Sequence, residues 1–445
     1  MMRLHGLMLE HKEELAQIVT AENGKNLAEA RASVAKGMET LEWACGLPQV
    51  AQGKTLLVSR GITCSDVRRP LGVVACITPS NFPIMIACWT SPIALTAGNA
   101  VILKPSEKVP LTMRKVGELM AQAGVPRGIF QLVHGTRPAV EALCDHPEIA
   151  AVTFVGSSPI AEAVSKRCRA LNKRCLALGG AKNHLVALDD CDHEMAARDI
   201  VASAYGCAGQ RCMAASVLLL VGDTGDLLER ICNKATALEL GVQPGQVGAI
   251  LTPESRDRMK GYVDRAEAAG AKLLVDGRPS AARTPGTWFG PTVVVLEDKA
   301  NECLHDEIFG PVLSVLRVSS WEEAIEIENG NPYGNAACIY TSNGANAEWF
   351  TERFRAGMLG VNIGVPVPRE PFSFGGMYGT ASKYGDMDIT ADGALEFFTD
   401  RQKITAKFGA PRRALDAAGE LAAKRRRIDN GHNATVDEAN FVGKM

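Results

Sequence analysis

The sequence lacks the features that mark several specialised classes of protein. Its 445 residues carry 48 Lys and Arg against 50 Asp and Glu, a net charge of −2, so no basic excess indicates a nucleic-acid partner. No apolar run approaches the roughly 20 residues that a membrane-spanning helix needs. No HExxH motif or Cys/His cluster indicates a metal site. These absences predict a globular protein without nucleic-acid, membrane or metal ligands.

The cysteines form no recognisable framework either. There are 13 of them, an odd number, and no CxxC pair recurs along the chain. This pattern is typical of reduced, mostly buried thiols in an intracellular protein. The chain opens on MMRLHGLMLEHKEELAQ, which predicts an amphipathic helix rather than a targeting peptide, because Glu10, Glu13 and Glu14 interrupt it.

Short apolar runs alternate with helical segments along most of the chain. The runs of a first series predict buried parallel strands at residues 73–77, 101–103, 130–133, 151–155 and 185–188. Helices are predicted between them at residues 111–123 and 161–169. A second series predicts strands near residues 217–221, 292–296, 312–316 and 336–340, and helices near residues 227–237, 254–269 and 346–355. This alternation predicts an α/β fold with a doubly wound sheet, a second α/β lobe and a ligand site between the lobes.

The segment GCAGQRC at residues 206–212 is the first candidate for chemistry. A predicted helix at residues 195–205 runs into its two glycines, which break the helix and let backbone approach a ligand closely. Cys212 then lies on a loop ahead of a strand, and the Arg211 cation beside it favours the reactive thiolate. Taken alone, a cysteine in a glycine-rich loop is more often a small buried residue.

The segment TPSNFP at residues 78–83 directly follows a predicted strand. Its two prolines lock the loop at the carboxyl end of that strand, where α/β sheets present ligands. The amide of Asn81 can donate a hydrogen bond to an oxyanion. The alternative is that Asn81 only caps a rigid turn.

Three further segments beside strand ends offer groups that suit a nucleotide. Lys104 and Glu107 can hydrogen-bond ribose hydroxyls, although charged residues at strand ends are often simply solvated. Ser157 follows another strand, and its hydroxyl with the N–H groups of a helix start suits a pyrophosphate, although the GxGxxG motif is absent. Glu307 and the neighbouring aromatic Phe309 suit a second ribose; the alternative is a plain turn.

In this order, the motifs resemble those of the aldehyde dehydrogenase superfamily over nearly all of residues 9–411. PSNFP is similar to its oxyanion loop, LKPSE to its adenosine-ribose site, FVGSS to its pyrophosphate turn, GQRC to its nucleophile and EIFGP to its nicotinamide-ribose site. The resemblance implies the aldehyde dehydrogenase fold, with Cys212 as the nucleophile and Asn81 as an oxyanion ligand. It also implies NAD as the cofactor, bound by Thr78, Ser80, Lys104, Glu107, Lys108, Ser157, Glu307 and Phe309.

Other segments resemble one branch of that superfamily, the methylmalonate-semialdehyde dehydrogenases. They are GAKNH at residues 180–184, GQRCMA at residues 209–214, GVPVP at residues 364–368 and FSF at residues 372–374. The branch oxidises malonate or methylmalonate semialdehyde with decarboxylation and gives acetyl-CoA or propionyl-CoA, with CoA as co-substrate. Its members serve valine and pyrimidine breakdown, and inositol breakdown in bacteria.

The resemblance implies that Arg211 and Lys36 bind the substrate carboxylate, with Lys36 standing where the branch has a second arginine. Ser80 replaces the aromatic residue that the family usually has before its oxyanion asparagine. Leu178 aligns with the glutamate that hydrolytic relatives use as a general base. Leucine cannot accept a proton, so a thiol acceptor is expected rather than water.

The resemblance also implies a division into domains. Residues 1–51 and 71–178 are expected to form an NAD-binding domain that lacks its amino-terminal part, and residues 179–394 a catalytic domain. Residues 52–70 and 395–410 are expected to form oligomerisation segments of a homodimer or homotetramer, and residues 411–445 a disordered tail. The expected compartment is the mitochondrial matrix in a eukaryote and the cytoplasm otherwise.

Two other functions remain open on this sequence. One is a hydrolytic aldehyde dehydrogenase that releases a free acid. The other is an inactive relative with a binding or structural role, since the fold alone does not fix the activity. Product analysis with and without CoA separates the first alternative, and any reduction of NAD excludes the second.

Overall fold

The structure is a computed structural model that describes residues 1–279, 286–408, 419 and 421. These residues belong to two units. The first consists of residues 1–52 and 68–400, and the second of residues 53–67 with the described residues from 401 onward. The predicted tail at residues 411–445 lies outside the described residues, except for Gly419 and Leu421.

The helices of the described residues are, in chain order, α1 (Met2–Glu10), α2 (Lys12–Asn23), α3 (Leu27–Val50), α4 (Met85–Thr96), α5 (Leu111–Gln122), α6 (Arg137–Asp145), α7 (Ser158–Ala170), α8 (His193–Tyr205), α9 (Leu227–Thr236), α10 (Pro253–Ala268), α11 (Glu302–His305), α12 (Trp321–Gly330), α13 (Gly344–Thr351) and α14 (Ala391–Phe397).

The strands of the described residues are β1 (Lys54–Ser59), β2 (Ile62–Pro70), β3 (Val73–Ile77), β4 (Ala100–Lys104), β5 (Phe130–Leu132), β6 (Ile149–Val155), β7 (Arg174–Leu178), β8 (Asn183–Ala187), β9 (Ala215–Val221), β10 (Lys272–Val275), β11 (Thr292–Leu296), β12 (Val312–Val318), β13 (Ala336–Tyr340), β14 (Met358–Val361), β15 (Lys383–Tyr384) and β16 (Thr399–Lys407).

The first unit contains a six-stranded sheet in the order β15-β7-β6-β3-β4-β5. Its strands are parallel except for β15, which pairs antiparallel with β7. The chain runs outward from β3 to β5 and then returns to β6 on the other side of β3. The strand order therefore reverses between β3 and β6, and this doubly wound topology opens a crevice at the carboxyl ends of these two strands.

A seven-stranded sheet in the same unit has the order β10-β11-β12-β9-β8-β13-β14. It is parallel except for the antiparallel pair β10-β11. All five residues of β8 and of β13 are buried. Continuous burial is what a parallel strand covered on both faces requires, and it explains why apolar runs alone predicted these strands.

Two sequence predictions about these elements need correction. The run at residues 185–188 closed the first predicted series, but β8 lies in the middle of the second sheet, between β9 and β13. The opening helix is not continuous, because it breaks at His11 into α1 and α2. At this break, a ring nitrogen of His11 lies 2.7 Å from the carboxylate of Glu14 in the first turn of α2.

The second unit contains most of a three-stranded sheet in the order β1-β2-β16. β1 pairs antiparallel with β2, from Lys54 opposite Asp66 to Leu57 opposite Thr63. Leu56 and Leu57 of β1 are each 66% exposed, which is unusual for adjacent leucines in a strand. In the part of the chain that the structure describes, no helix combines the length and the hydropathy needed to cross a membrane.

Candidate active site

The loop that carries Cys212 is held in a left-handed turn. α8 begins at its cap Asp192, whose carboxylate accepts the Met195 N–H at 2.9 Å, and it ends at Gly206. Cys207, Ala208 and Gly209 then have φ angles of 52°, 52° and 67°, a conformation that only glycine adopts without cost. A side chain on Gly209 would overlap the carbonyl of Gly310. The turn redirects the chain so that Cys212 comes just before β9.

Side-chain amides fix this loop on both sides of the cysteine. Asn81 donates to the Gln210 carbonyl at 3.0 Å, so the loop after β3 contacts the loop of the nucleophile directly. Asn183 and Asn335 both donate to the Cys212 carbonyl, at 2.9 Å and 2.8 Å. The backbone of Cys212 is therefore anchored by β8 and by the segment before β13. Its thiol projects from a fixed position.

Two cavities meet at Cys212. The first has a volume of about 470 Å³, and the predicted residues that line it are Ser80, Asn81, Ser157, Cys212, Glu307 and Phe309. The second has a volume of about 430 Å³ and is lined by Lys36, Arg211 and Cys212 together with the aromatic residues Phe82, Trp89 and Phe374. One thiol is thus reachable from a polar cavity on one side and from a mostly apolar cavity with two cations on the other.

The first cavity contains a helix amino terminus and a buried carboxylate. α7 begins beside it at Ser158, directly after Ser157. Pro159 has no N–H, and the Ile160 and Ala161 N–H groups donate to the Ser157 carbonyl, so the Ser158 N–H is the backbone donor of this turn that can serve an anion. The Glu307 carboxylate accepts the Ala181 N–H at 2.9 Å and lies against Gly180, where a side chain would overlap it. Burial raises the pKa of Glu307 above its usual value, and the nearby Lys182 charge opposes this.

Four of the residues predicted to bind the cofactor do not line this cavity: Thr78, Lys104, Glu107 and Lys108. The first three nevertheless lie together, because the Thr78 N–H donates to the Lys104 carbonyl at 3.0 Å and the Lys104 ammonium pairs with Glu107 at 3.0 Å. Thr78 has a buried hydroxyl with no hydrogen-bond partner among the described residues. Lys108 is exposed and stands apart from these contacts.

The electrostatic environment of Cys212 differs from the sequence prediction. Arg211 was expected to favour the thiolate, and together with Lys25 it does lower the pKa of Cys212. Burial and the negative charge of Glu307 act in the opposite direction and are larger, so the pKa of Cys212 rises to about 12. Protein encloses the thiol closely enough that lost hydration outweighs the adjacent cation.

The two cations of the second cavity are both paired with carboxylates. The Lys36 ammonium lies 3.0 Å from Glu370 and 3.2 Å from Glu39. Arg211 donates to the Ala202 carbonyl at 3.3 Å and lies 3.6 Å from Glu29, beyond direct hydrogen-bond distance. Lys36 is therefore largely neutralised by its two partners. Among the described residues, Arg211 has no carboxylate within direct hydrogen-bond distance, so its guanidinium is the better placed of the two cations to pair with a ligand carboxylate.

The chain matches known proteins over almost its whole length. Residues 1–404 match the model of the aldehyde dehydrogenase family. The chain belongs to the aldehyde dehydrogenase family.

Among curated relatives, malonate-semialdehyde dehydrogenase 1 of Geobacillus thermodenitrificans is 42% identical over 408 residues, which is 90% of this chain and 84% of that protein. Malonate-semialdehyde dehydrogenase of Halalkalibacterium halodurans is 40% identical over 407 residues, again 90% of this chain and 84% of the relative. These similarities confirm the predicted membership of the superfamily and its branch.

Solved structures agree with the predicted fold. The methylmalonate-semialdehyde dehydrogenase of Oceanimonas doudoroffii superposes with a TM-score of 0.90 at 36% identity, covering 93% of this chain and 86% of that one. A Sinorhizobium meliloti structure described as a methylmalonate-semialdehyde dehydrogenase complexed with NAD gives the same TM-score and identity and covers 93% and 85% of the two chains. The aldehyde dehydrogenase fold predicted from the motifs is confirmed.

Several residues at this aldehyde dehydrogenase site carried no sequence signal. Arg258, Tyr262 and Tyr333 line the first cavity, and Glu29 lines the second. Arg258 lies on α10 and donates to the Ile308 carbonyl at 2.8 Å, which supports the segment that bears Glu307. An arginine on a charged amphipathic helix is predicted from the sequence to be an ordinary solvated side chain. Only its long-range contact distinguishes it.

The raised pKa of Cys212 predicts how this family member reacts with alkylating reagents. Because the folded-state pKa lies above the usual value, the thiolate fraction grows about tenfold per pH unit from about pH 6 to about pH 9. Iodoacetamide inactivation of the cofactor-free protein should rise with the same slope and reach no plateau in that range. The Glu307→Gln variant should react faster at each pH, because a negative charge near the thiol is removed. A plateau below about pH 8 would show that the thiolate is already formed.

Proposed function

We propose that the chain oxidises malonate or methylmalonate semialdehyde with NAD and passes the acyl group to CoA, with loss of the substrate carboxylate as CO2. The observation that carries this proposal is the position of Cys212 between a polar cavity and a cavity lined by Arg211. The names of the curated relatives and of the structural neighbours support the same substrate class. In this proposal Cys212 holds the acyl group as a thioester between oxidation and transfer.

The first cavity and the adjoining crevice fit a dinucleotide. The amino terminus of α7 offers the Ser158 N–H and the Ser157 hydroxyl for a pyrophosphate, and Thr78 has a buried hydroxyl that lacks a partner among the described residues. Lys104 and Glu107 lie beside Thr78 and suit ribose hydroxyls, and the Glu107 carboxylate favours NAD over NADP. When bound, NAD takes the hydride from the substrate.

The residues of the chain itself supply the covalent steps. The Cys212 thiolate attacks the aldehyde carbon, and the resulting oxyanion is held by the Asn81 amide and the Cys212 backbone N–H. Asn81 is already aligned by its hydrogen bond to Gln210, so its second amide hydrogen can serve the oxyanion without a large rearrangement. Oxidation of the adduct leaves a thioester on Cys212.

Two steps follow: the bound acyl group loses CO2, and it is then transferred from Cys212 to CoA. The carboxylate of the acyl chain departs as CO2, and the carbon that held it takes up a proton. The CoA thiolate then attacks the thioester carbonyl and frees the Cys212 thiolate. Leu178, which the motif alignment pairs with the general base of hydrolytic relatives, is 3% exposed and does not line either cavity. It therefore gives no help to water.

Hydrolysis is the second candidate, because one carboxylate does share a cavity with Cys212. Glu307 lines the first cavity, and its pKa is raised by burial, which suits a proton acceptor. The sequence motifs did not indicate Glu307 as a substitute for the missing base; its place beside Cys212 is seen in the structure. Against hydrolysis, one Glu307 oxygen already accepts the Ala181 N–H, and the side chain lies packed against Gly180.

Arg211 gives a direct test of the substrate class. Replacement of Arg211 by Leu should raise KM for malonate semialdehyde about 10- to 100-fold, because a charge-assisted hydrogen bond to the substrate carboxylate is lost. KM for propionaldehyde, which has no carboxylate, should change by less than about threefold. Arg198→Leu on α8 is the matched control, since Arg198 is exposed and forms an ion pair with Asp199. Equal losses for both substrates would exclude a carboxylate-binding role.

Lys36 is proposed as a secondary contact only. Its ammonium is held by Glu370 and Glu39, so a substrate carboxylate would have to displace one of these partners.

The exposed leucines of β1 support assembly into a homodimer or homotetramer through the three-stranded sheet. The relatives named above are bacterial proteins, and the chemistry proposed here does not depend on a mitochondrial compartment.

A further inference from the structure

Glu29 makes a contact that the chemistry described above does not use. It lies in the first turn of α3, where its N–H donates to the cap Asn26 at 2.9 Å. Its carboxylate oxygen Oε1 accepts the Cys207 N–H at 2.6 Å and lies 3.6 Å from the Arg211 guanidinium. The other oxygen, Oε2, is buried and has no hydrogen-bond partner among the described residues. A single carboxylate thus contacts two positions of the loop that ends at Cys212.

The residue that Glu29 contacts is the first of the left-handed turn. Cys207 and Ala208 are not glycines, yet both have φ angles of 52°. Residues with a side chain leave this conformation unless surrounding contacts hold them in it. An acceptor oxygen on the N–H of the buried Cys207 is such a contact, because a buried N–H left without an acceptor costs free energy. The Glu29 oxygen therefore opposes relaxation of the turn.

General packing does not explain why a carboxylate stands at position 29. A carboxylate that is mostly buried beside a largely apolar cavity costs desolvation energy, and one of its oxygens receives no hydrogen bond in return. The contacts it does make are both with the segment between α8 and β9. The same segment carries the nucleophile and the cation of the second cavity.

We propose that Glu29 is a positioning residue that holds the turn at Cys207–Gly209 and so fixes where Cys212 and Arg211 stand. The hydrogen-bond acceptor, rather than the negative charge, is what the turn requires. For the position of Cys212 the inference is independent of the substrate; for the ligand of Arg211 it rests on the proposed function.

The test compares Glu29→Ala with Glu29→Gln, which keeps an acceptor oxygen at the same distance along the side chain. Two quantities are measured that involve neither CoA nor a carboxylate substrate: the rate of Cys212 alkylation by iodoacetamide, and kcat for propionaldehyde with NAD. Glu29→Ala should lower both about 10- to 100-fold, because small displacements of a nucleophile are costly. Glu29→Gln should stay within about threefold of the unaltered protein, and so should Glu42→Ala, an exposed position on the same helix.

A second variant keeps the test informative if Glu29→Ala folds poorly. Glycine at position 208 adopts the left-handed conformation without strain, so Ala208→Gly combined with Glu29→Ala should recover part of the lost alkylation rate. Because this glycine also relieves strain in the fold as a whole, the rates are compared at a temperature at which thermal unfolding shows every variant to be fully folded. Wild-type rates in Glu29→Ala, or equal losses in Glu29→Gln and Glu29→Ala, would overturn the proposal. So would a double variant no faster than Glu29→Ala. None of these results depends on whether CoA is the acyl acceptor.

Discussion

The Cys212→Ser variant is expected to lose NADH formation almost entirely, with kcat lower by about 10⁴-fold or more. A serine hydroxyl ionises far less readily than a thiol, and the Glu307 carboxylate that shares its cavity already accepts the Ala181 N–H. The position of the backbone should not change, because Asn183 and Asn335 hold the carbonyl of residue 212 and not its side chain. NAD affinity, measured by fluorescence quenching or calorimetry, should therefore remain near that of the unaltered protein.

The comparison that makes this result specific uses the other cysteine of the same loop. Cys207 is buried, and only its N–H takes part in the contact with Glu29, so Cys207→Ser should lose less than about tenfold in kcat. Mass spectrometry during iodoacetamide treatment should find that the loss of activity follows the modification of Cys212 and not that of any of the other 12 of the 13 cysteines. An essential Cys207 with a dispensable Cys212 would contradict the assignment.

Much of the fold could be predicted because its strands are buried on both faces. The predicted bounds of residues 73–77, 292–296 and 336–340 coincide with β3, β11 and β13. Such strands can be predicted without knowing their neighbours in the sheet, since a buried parallel strand is apolar throughout. The run at residues 185–188 was recognised as a strand but given to the wrong series, because an apolar pattern does not say which sheet a strand joins.

The candidate site, like the fold, could be predicted from the sequence only in part. Motifs of adjacent residues predicted Asn81, Ser157, Cys212 and Glu307, and all four line one cavity. Asn81 and Ser157 follow β3 and β6 at the carboxyl ends of the six-stranded sheet, whereas Cys212 and Glu307 precede β9 and β12 of the seven-stranded sheet. The pairing of Lys36 with Glu370 joins residues 334 positions apart, and no local pattern reports such a contact. The direction of the pKa shift of Cys212 could not be predicted from the sequence either, because burial by the fold has a larger effect on this pKa than the adjacent Arg211.

The second large effect expected is the dependence of turnover on CoA. If Leu178 replaces the general base, as the motif alignment predicts, water should attack the thioester slowly, since a general base contributes about 10²- to 10⁴-fold. A thiol needs less help, because its thiolate forms near neutral pH and is a strong nucleophile. CoA should therefore accelerate steady-state turnover by about 100-fold or more, with ping-pong kinetics in which CoA enters after NADH has formed.

A Leu178→Glu variant would show whether the missing base explains this dependence. Leu178 ends β7 and is buried, so the glutamate has to reach past Gly179, and some loss of stability is expected. If the variant folds, its turnover without CoA should rise above that of the unaltered protein. Leu178→Gln is the matched control, because it has a similar size and cannot act as a base of comparable strength.

The most direct measurement is a stopped-flow record of NADH absorbance with malonate semialdehyde and saturating NAD, first without CoA and then with it. We expect a burst equal to the concentration of active sites, followed by slow turnover that CoA accelerates about 100-fold while acetyl-CoA accumulates. Fast steady turnover without CoA, giving free acid and no burst, would contradict the account and favour Glu307-assisted hydrolysis.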